Sequence, residues 1–220
     1  MLDVKTDASV ATLVGDVVGS RGATDRGALH HGLATLLHAV NDEYLPLQPL
    51  RITIGDEYQG CFATLGEALA ATLRIRLAML PDVDIRHGVG WGPVAVLAEE
   101  PRVEDGPGWW AARDAIEGVK ADAKKAVLRD VRTSYRRADD PAAAAGADPA
   151  PVNAALMCRD QMVGSLSERS VSLLGGLLAG RSQSDIAEEE RISASAASQR
   201  VRNDGLGVIV AADALLRRMR

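Results

Sequence analysis

Two acidic positions that end apolar segments are the first candidates for chemistry. Asp16 lies near the end of the β-branched run VATLVGDVV (residues 10–18), and Asp56 with Glu57 forms the tip of a predicted hairpin, LRITIGDEYQGCFA, at about residues 50–63. Two carboxylates that meet at one place provide the oxygen ligands that Mg²⁺ and Mn²⁺ prefer. A solvated turn is the alternative for the hairpin acids, because Gly-Asp is a frequent turn pair.

A short polar segment after the first strand is a candidate phosphate site. Gly19, Ser20 and Arg21 lie between that strand and a predicted helix. Backbone N–H groups at such a position favour an anion, so these residues are the candidates for binding a nucleotide or another phosphorylated ligand.

The order of elements predicts how these residues meet. A helix at 25–42 follows the first strand, and after the hairpin come a helix that ends before Pro81 and a strand at 83–91, with PVAVLA as a short fifth strand. The order β-α-β-β-α-β is that of the split βαβ, or ferredoxin-like, α+β sheet. The third strand then lies between two parallel strands, which brings Asp16 and Asp56 to one edge.

Composition and charge limit the class of protein. The chain has 47% hydrophobic and 25% charged residues, and only 3% aromatic residues. Such a composition is ordinary for a globular protein, and no apolar run reaches membrane-spanning length. With two distant cysteines and no secretory pattern at the start, the expected location is the cytoplasm, without membrane contact.

The predicted domain organisation has two parts. Residues 1–137 form the sheet-containing domain, 138–153 (ADDPAAAAGADPAPVN) a flexible linker or loop, and 154–220 a helical region. The net charge of −5 belongs to the first part, because residues 160–220 hold eight Arg and eight acidic residues. The larger part is therefore not expected to bind nucleic acid nonspecifically.

Three fragments in order carry a family resemblance: LVGDVVGSR, TIGDEYQG and IRHGVGWGPV. With DGPGWWAAR and the C-terminal region they resemble the SatD family over about residues 12–205. More distantly they resemble the palm domain of class III nucleotide cyclases and diguanylate cyclases, in which two aspartates hold two metal ions that activate a ribose hydroxyl.

The cyclase resemblance implies roles for four residues, but the chain departs from the cyclase pattern at two other positions. It implies that Asp16 and Asp56 bind Mg²⁺ or Mn²⁺, that Glu57 is a further ligand or supports one, and that Arg113 stabilises charge on the transferred phosphate. The ribose-orienting asparagine would fall at Trp109 and the purine-reading lysine at Ile52. The resemblance therefore implies a palm that keeps metal and phosphate binding but is not an active cyclase.

The region 166–205 predicts a helix-turn-helix. Its pattern is similar to LuxR-type and sigma-factor-type modules, and the second helix would span about 193–203. That resemblance implies contacts with DNA, for which the polar candidates are Ser195, Ser198, Gln199 and Arg202. Helix packing without DNA is the alternative, because the segment is not basic overall.

Together these observations predict a cytoplasmic, homodimeric regulator. Its cyclase-like palm would bind a metal-nucleotide or similar phosphate ligand, and its helix-turn-helix would bind DNA and regulate transcription. The first alternative is an active metal-dependent nucleotidyl cyclase or nucleotidyl transferase. The second alternative is a protein-interaction scaffold in which neither site works.

Overall fold

A six-stranded mixed sheet forms the centre of the N-terminal part. The computed structural model describes residues 5–20, 25–100 and 102–220. The strands are β1 (Lys5–Val17), β2 (Gln48–Ile54), β3 (Glu57–Phe62), β4 (Ile85–Glu99), β5 (Arg102–Asp105) and β6 (Thr133–Arg137). Their order is β2-β3-β1-β4-β5, and β6 also pairs with β4. Only the β4–β6 pair is parallel among the strand pairs of the described residues.

Eight α-helices complete the described part of the chain. They are α1 (Arg26–Tyr44), α2 (Leu65–Met79), α3 (Pro107–Asp122), α4 (Pro149–Gly164), α5 (Glu168–Leu178), α6 (Gln183–Glu189), α7 (Ala194–Asn203) and α8 (Leu206–Leu216). None of the helices in these described ranges combines the length and the apolar character that a bilayer crossing needs.

The predicted split βαβ arrangement is confirmed. Strand β3 lies between β1 and β2 and is antiparallel to both, so β1 and β2 run parallel. The fragment PVAVLA, however, does not form a separate fifth strand. It continues β4 as far as Glu99, because its residues keep their pairing with β1 as far as Ala95 and then pair with β5.

Helix α3 lies unusually close to the sheet because β4 carries glycine at alternate positions. A Cβ atom on Gly88 would lie 2.2 Å from the carbonyl oxygen of Ala112, and one on Gly90 would lie 2.2 Å from that of Gly108. The hydroxyl of Thr12 on β1 also donates to the carbonyl oxygen of Gly108, at 2.8 Å. The glycines of β4 thus allow α3 to pack directly against the strand.

Helix α2 belongs to two hydrophobic cores at once, which explains why it is buried on nearly all sides. One face packs with the sheet and α1, where Leu69 is fully buried. The other face contributes Leu73 and Leu77 to a second core formed with the C-terminal helices. The C-terminal helices therefore rest directly on the sheet-containing part.

The segment 138–153 packs against the sheet. Ala143, in a short 3-10 turn, is completely buried in the first core, and the end of the segment already belongs to α4, whose Val152 is buried in the same core. A low-complexity composition thus coexists with packing, because Ala fits where a larger side chain does not. The division of the chain into two domains at this segment stays a prediction.

Candidate functional site: a charged cleft at the end of the first strand

The end of β1 and the tip of the β2–β3 hairpin meet at one edge of the sheet. Gly15 of β1 pairs with Tyr58 of β3, which places Asp16 beside the hairpin tip. The tip turns at Gly55, which has a φ of 65°. A cleft of about 460 Å³ opens here. Its lining residues are Asp16, Val17, Gly19, Ser20, Ile54, Asp56, Glu57 and Arg86.

Asp16 is held by two cations on opposite sides. Arg86 is its direct partner across the β1–β4 pair and donates from Nε to Oδ1 at 3.0 Å. The Nζ of Lys120 on α3 lies 3.1 Å from Oδ2. The Asp16 side chain is only 13% exposed, so this carboxylate is stabilised by charge pairing inside the protein rather than by water.

Glu57 forms a two-pronged ion pair with Arg113 of α3. The two terminal nitrogens of Arg113 donate to the two carboxylate oxygens at 2.6 and 2.7 Å. These hydrogen bonds lower the pKa of Glu57, against the opposing effect of its partial burial. The same bonds raise the pKa of Arg113. Arg113 therefore contacts the hairpin tip, where its guanidinium is occupied by a carboxylate. Its predicted role, stabilising charge on a transferred phosphate, stays a prediction.

Helix α3 delivers both of these cations because Arg113 and Lys120 are seven residues apart and so lie on one face. Glu117, between them, accepts from Lys120 at 2.8 Å. Desolvation lowers the pKa of Lys120, but hydrogen bonds to Glu117 and Asp16 outweigh it, and the net direction is upward. Lys120 is thus a permanent ammonium ion beside Asp16 at neutral pH.

On the opposite face of the sheet, a buried polar pair supports the same strands. The hydroxyl of Tyr58 lies 2.6 Å from Nε2 of His87, and both side chains are completely buried. Gly15 is required next to them, since a Cβ there would lie 2.3 Å from the tyrosine ring. Burial lowers the pKa of His87, reinforced by Arg159 and Arg76, so the imidazole is neutral.

The acids of the cleft do not present a free set of metal ligands. Both carboxylate oxygens of Asp16 and of Glu57 contact basic side chains. Asp56 is the one acid lining the cleft that has no ion-pair partner among the described residues. Within those residues, no three His, Cys, Asp or Glu side chains are grouped to hold a metal ion. The expected Mg²⁺ or Mn²⁺ at Asp16, Asp56 and Glu57 stays a prediction, and the ion pairs do not fit it.

The other predicted site residues fall in different surroundings. Gly19 and Ser20 line the cleft, with Gly19 at a φ of 72°, whereas Arg21 lies outside the described residues. Trp109 packs in the apolar layer between α3 and the sheet, and Ile52 is half-buried against the first core. Trp109 and Ile52, the two residues that differ from the cyclase pattern, therefore both take part in hydrophobic packing.

Arg86 and Lys120 are the site residues that sequence reasoning missed. Arg86 had a detectable signal, because it directly precedes the fragment HGVGWG on the strand that pairs with β1. Lys120 had a weaker signal, which is that it lies seven residues after Arg113 and therefore on the same face of a helix.

The candidate DNA-contacting residues lie on α7. Ser195, Gln199 and Arg202 are exposed, and Ser198 is half-buried. Four residues, 190–193, separate α6 from α7, and Ala197 of α7 is buried in the second core with Ile186 of α6.

These features define an α+β protein with a split βαβ sheet and a charged cleft at the end of its first strand. The chain matches the SatD family over residues 10–215 and therefore belongs to that family. No curated protein matches it.

The solved structures to which the chain is similar include cyclase domains. The catalytic core of a rhodopsin-guanylyl cyclase with converted specificity, in complex with ATPαS, is 22% identical, with a TM-score of 0.43, over 50% of this chain and 72% of that chain. The monomeric guanylyl cyclase domain of RhoGC from Blastocladiella emersonii is 21% identical, with a TM-score of 0.43, over 50% and 75%. A bacterial light-regulated adenylyl cyclase is 11% identical, with a TM-score of 0.46, over 58% and 43%.

Proposed function

We propose that the cleft at the end of β1 binds a phosphorylated ligand of the nucleoside polyphosphate class, and that the protein senses this ligand rather than converting it. The observation that carries the proposal is the setting of Arg86. Only its Nε is engaged by Asp16, so its two terminal nitrogens have no hydrogen-bond partner among the described residues. A guanidinium that a carboxylate holds in place at the lining of a cleft can donate strong hydrogen bonds to a phosphate group.

Neighbouring groups support an anionic ligand. Gly19 and Ser20 line the cleft beside Arg86, and a backbone with a positive φ can turn N–H groups toward an anion. Lys120 and Arg113 add two further positive charges at the same edge.

Catalysis is disfavoured for reasons of geometry. Arg113, the candidate catalytic residue, is tied to Glu57 by two hydrogen bonds, and Trp109 is buried where the resemblance places a ribose contact. The alternative is a metal-dependent cyclase or nucleotidyl transferase that uses Asp16 and Asp56 as ligands. It predicts turnover of a nucleoside triphosphate with Mn²⁺ that Asp16→Asn abolishes.

The test is thermal stability of the full chain with a panel of nucleoside mono-, di- and triphosphates. A ligand at about 100 times its dissociation constant adds about 2.7 kcal/mol to the free energy of unfolding. The proposal expects stabilisation that increases with the number of phosphates and disappears in Arg86→Gln. Arg129→Gln, at a side chain that is 76% exposed, is the matched control. Stabilisation of Arg86→Gln equal to that of the wild type would contradict the proposal.

A second candidate function is DNA binding through α7, which would make the protein a transcription regulator. Its support is the exposure of Ser195, Gln199 and Arg202 on a helix joined to α6 by a four-residue turn. Against it, Arg200 on the same helix is engaged by the hydroxyls of Ser167 and Ser170. Salt-dependent binding to duplex DNA that weakens in Arg202→Gln would support this role, and binding unaffected by that change would exclude α7.

The scaffold alternative predicts neither result. A chain that binds no phosphate ligand and no DNA, yet is folded, would leave protein contacts as the function.

A further inference from the structure

Lys120 and Arg86 each contact one carboxylate oxygen of Asp16, a residue that the cyclase resemblance makes a metal ligand. The Nζ of Lys120 lies 3.1 Å from Oδ2, while Arg86 holds Oδ1 at 3.0 Å. The three side chains are 28%, 21% and 13% exposed, so water screens them only partly. Asp16 therefore already has two positive charges at hydrogen-bond distance, the same charge that one Mg²⁺ or Mn²⁺ ion would bring.

The arrangement is held by the fold and not by the side chains alone. Helix α3 rests so closely on β4 that a Cβ atom on Gly88 or Gly90 would lie 2.2 Å from a carbonyl oxygen of the helix. Thr12 hydrogen-bonds the first turn of the same helix. Lys120 is thus presented to Asp16 from a fixed helix, and a metal ion would have to displace an ammonium group of like charge to reach the carboxylate.

We propose that Lys120, together with Arg86, is a built-in replacement for the divalent cation, so that the cleft excludes metal and takes its phosphorylated ligand without one. The exclusion of metal stands on the contacts of Asp16 alone. The metal-free mode of ligand binding rests on the proposed function. Two separate measurements therefore decide the two parts.

Asp56 distinguishes a metal-free site from a metal-dependent one. It lines the cleft and has no ion-pair partner among the described residues. In a metal-dependent site this carboxylate would be a ligand, and its loss would abolish binding. In a metal-free site it only repels the phosphate groups. The same isosteric change, Asp56→Asn, is thus expected to have opposite effects in the two mechanisms.

The first measurement uses Mn²⁺ alone, titrated into the full chain and followed by the electron paramagnetic resonance signal of the free ion. The wild type is expected to show no binding that depends on Asp16. Lys120→Met is expected to bind Mn²⁺ at least tenfold tighter, and the double variant Lys120→Met, Asp16→Asn to lose that gain. Lys125→Met, which removes a lysine paired with Asp122 away from the cleft, is the matched control.

If Lys120→Met does not fold, a second variant can be used in the Mn²⁺ titration. Arg86→Gln frees the other Asp16 oxygen and carries the same expectation. Wild-type binding of Mn²⁺ that Asp16→Asn removes would overturn the inference. So would folded Lys120→Met or Arg86→Gln that binds no more Mn²⁺ than the wild type.

The second measurement uses inorganic triphosphate in the presence of EDTA, with the wild type and Asp56→Asn. The expected result is binding by the wild type and severalfold tighter binding by Asp56→Asn. Triphosphate binding that requires Mg²⁺ and is lost in Asp56→Asn would overturn the metal-free mode. If no variant binds triphosphate while Mn²⁺ binds to Lys120→Met and to Arg86→Gln but not to the wild type, the proposed function fails and the replacement of the metal by Lys120 and Arg86 stands.

Discussion

Arg86 lies directly opposite Asp16 across the β1–β4 pair, and its Nε donates to Oδ1 of Asp16 at 3.0 Å. The acid near the end of the first strand is thus one half of a cross-strand ion pair, not a free carboxylate. The pair fixes a guanidinium at the lining of a cleft that Ser20 and Asp56 also line. The account of ligand binding follows from that fixed position.

The Glu57–Arg113 pair is expected to make stability depend on acid pH. The hydrogen bonds from Arg113 lower the pKa of Glu57 in the folded state below its ordinary 4.5. The stabilisation is therefore fully present above about pH 4.5 and is lost as the pH falls through the lower, folded-state value. The pair is partly exposed, so about 0.5–1 kcal/mol is expected.

Urea unfolding of the wild type and Glu57→Gln between pH 7 and pH 3 measures this effect. The difference between the two free energies of unfolding should be constant above pH 5 and shrink toward zero below the folded-state pKa. A difference that grows as the pH falls would contradict the assigned pairing.

His87 is expected to weaken the fold below neutral pH. Burial lowers its pKa well below the ordinary value of 6.5, so the unfolded chain takes up a proton that the folded chain does not. Stability is then lost as the pH falls below about 6.5, by up to about 1.4 kcal/mol per pH unit. His87→Gln, which cannot take up that proton, should lack this part of the slope. Parallel curves for the two proteins between pH 7.5 and 5.5 would contradict it.

Two glycine-to-alanine changes should have opposite signs. Gly90→Ala forces a Cβ to within 2.2 Å of the carbonyl oxygen of Gly108 and should cost about 2–3 kcal/mol by pushing α3 off the sheet. Gly175→Ala, within α5, meets nothing within 4 Å and should stabilise by about 0.5–1 kcal/mol. Chemical denaturation checks both, and a neutral Gly90→Ala would contradict the close seating of α3.

Asp160 is expected to be the most sensitive polar residue outside the cleft. It is 1% exposed, lies 3.2 Å from a terminal nitrogen of Arg76, and accepts from the backbone N–H groups of Arg132 and Thr133 at 2.8 and 2.6 Å. It thereby ties α4 to α2 and to the start of β6. Asp160→Asn should cost about 3–5 kcal/mol because it leaves Arg76 short of a buried partner. Asp82→Asn, at an exposed aspartate, is the control and should alter stability by less than about 0.5 kcal/mol.

Local sequence patterns predicted the hairpin and the arrangement of the first three strands. The alternation around Ile52 and the Gly-Asp tip specified the hairpin, and the order of elements specified that β3 lies between β1 and β2. The meeting of Asp16 with the hairpin tip then followed from topology alone. The end of β4 did not, because nothing local separates PVAVLA from the strand before it.

The charge pairs of the site required knowledge of packing between distant elements. Whether Lys120 reaches Asp16 depends on where α3 rests on β4, which is set by glycines about thirty residues earlier in the chain. Likewise, the packing of Ala143 depends on space left in the core, not on the composition of 138–153. The acids and Arg113 were therefore found from the sequence, whereas Arg86 and Lys120, the two cations that neutralise Asp16, were missed.

The most direct test of the central claim is the affinity of the cleft for a phosphate chain. Isothermal titration calorimetry with inorganic triphosphate in EDTA, on the wild type and on Arg86→Gln, measures it. The account predicts binding by the wild type and at least tenfold weaker binding by Arg86→Gln, with both proteins folded to the same extent. Equal affinities of the two proteins, or no binding by the wild type, would contradict the account.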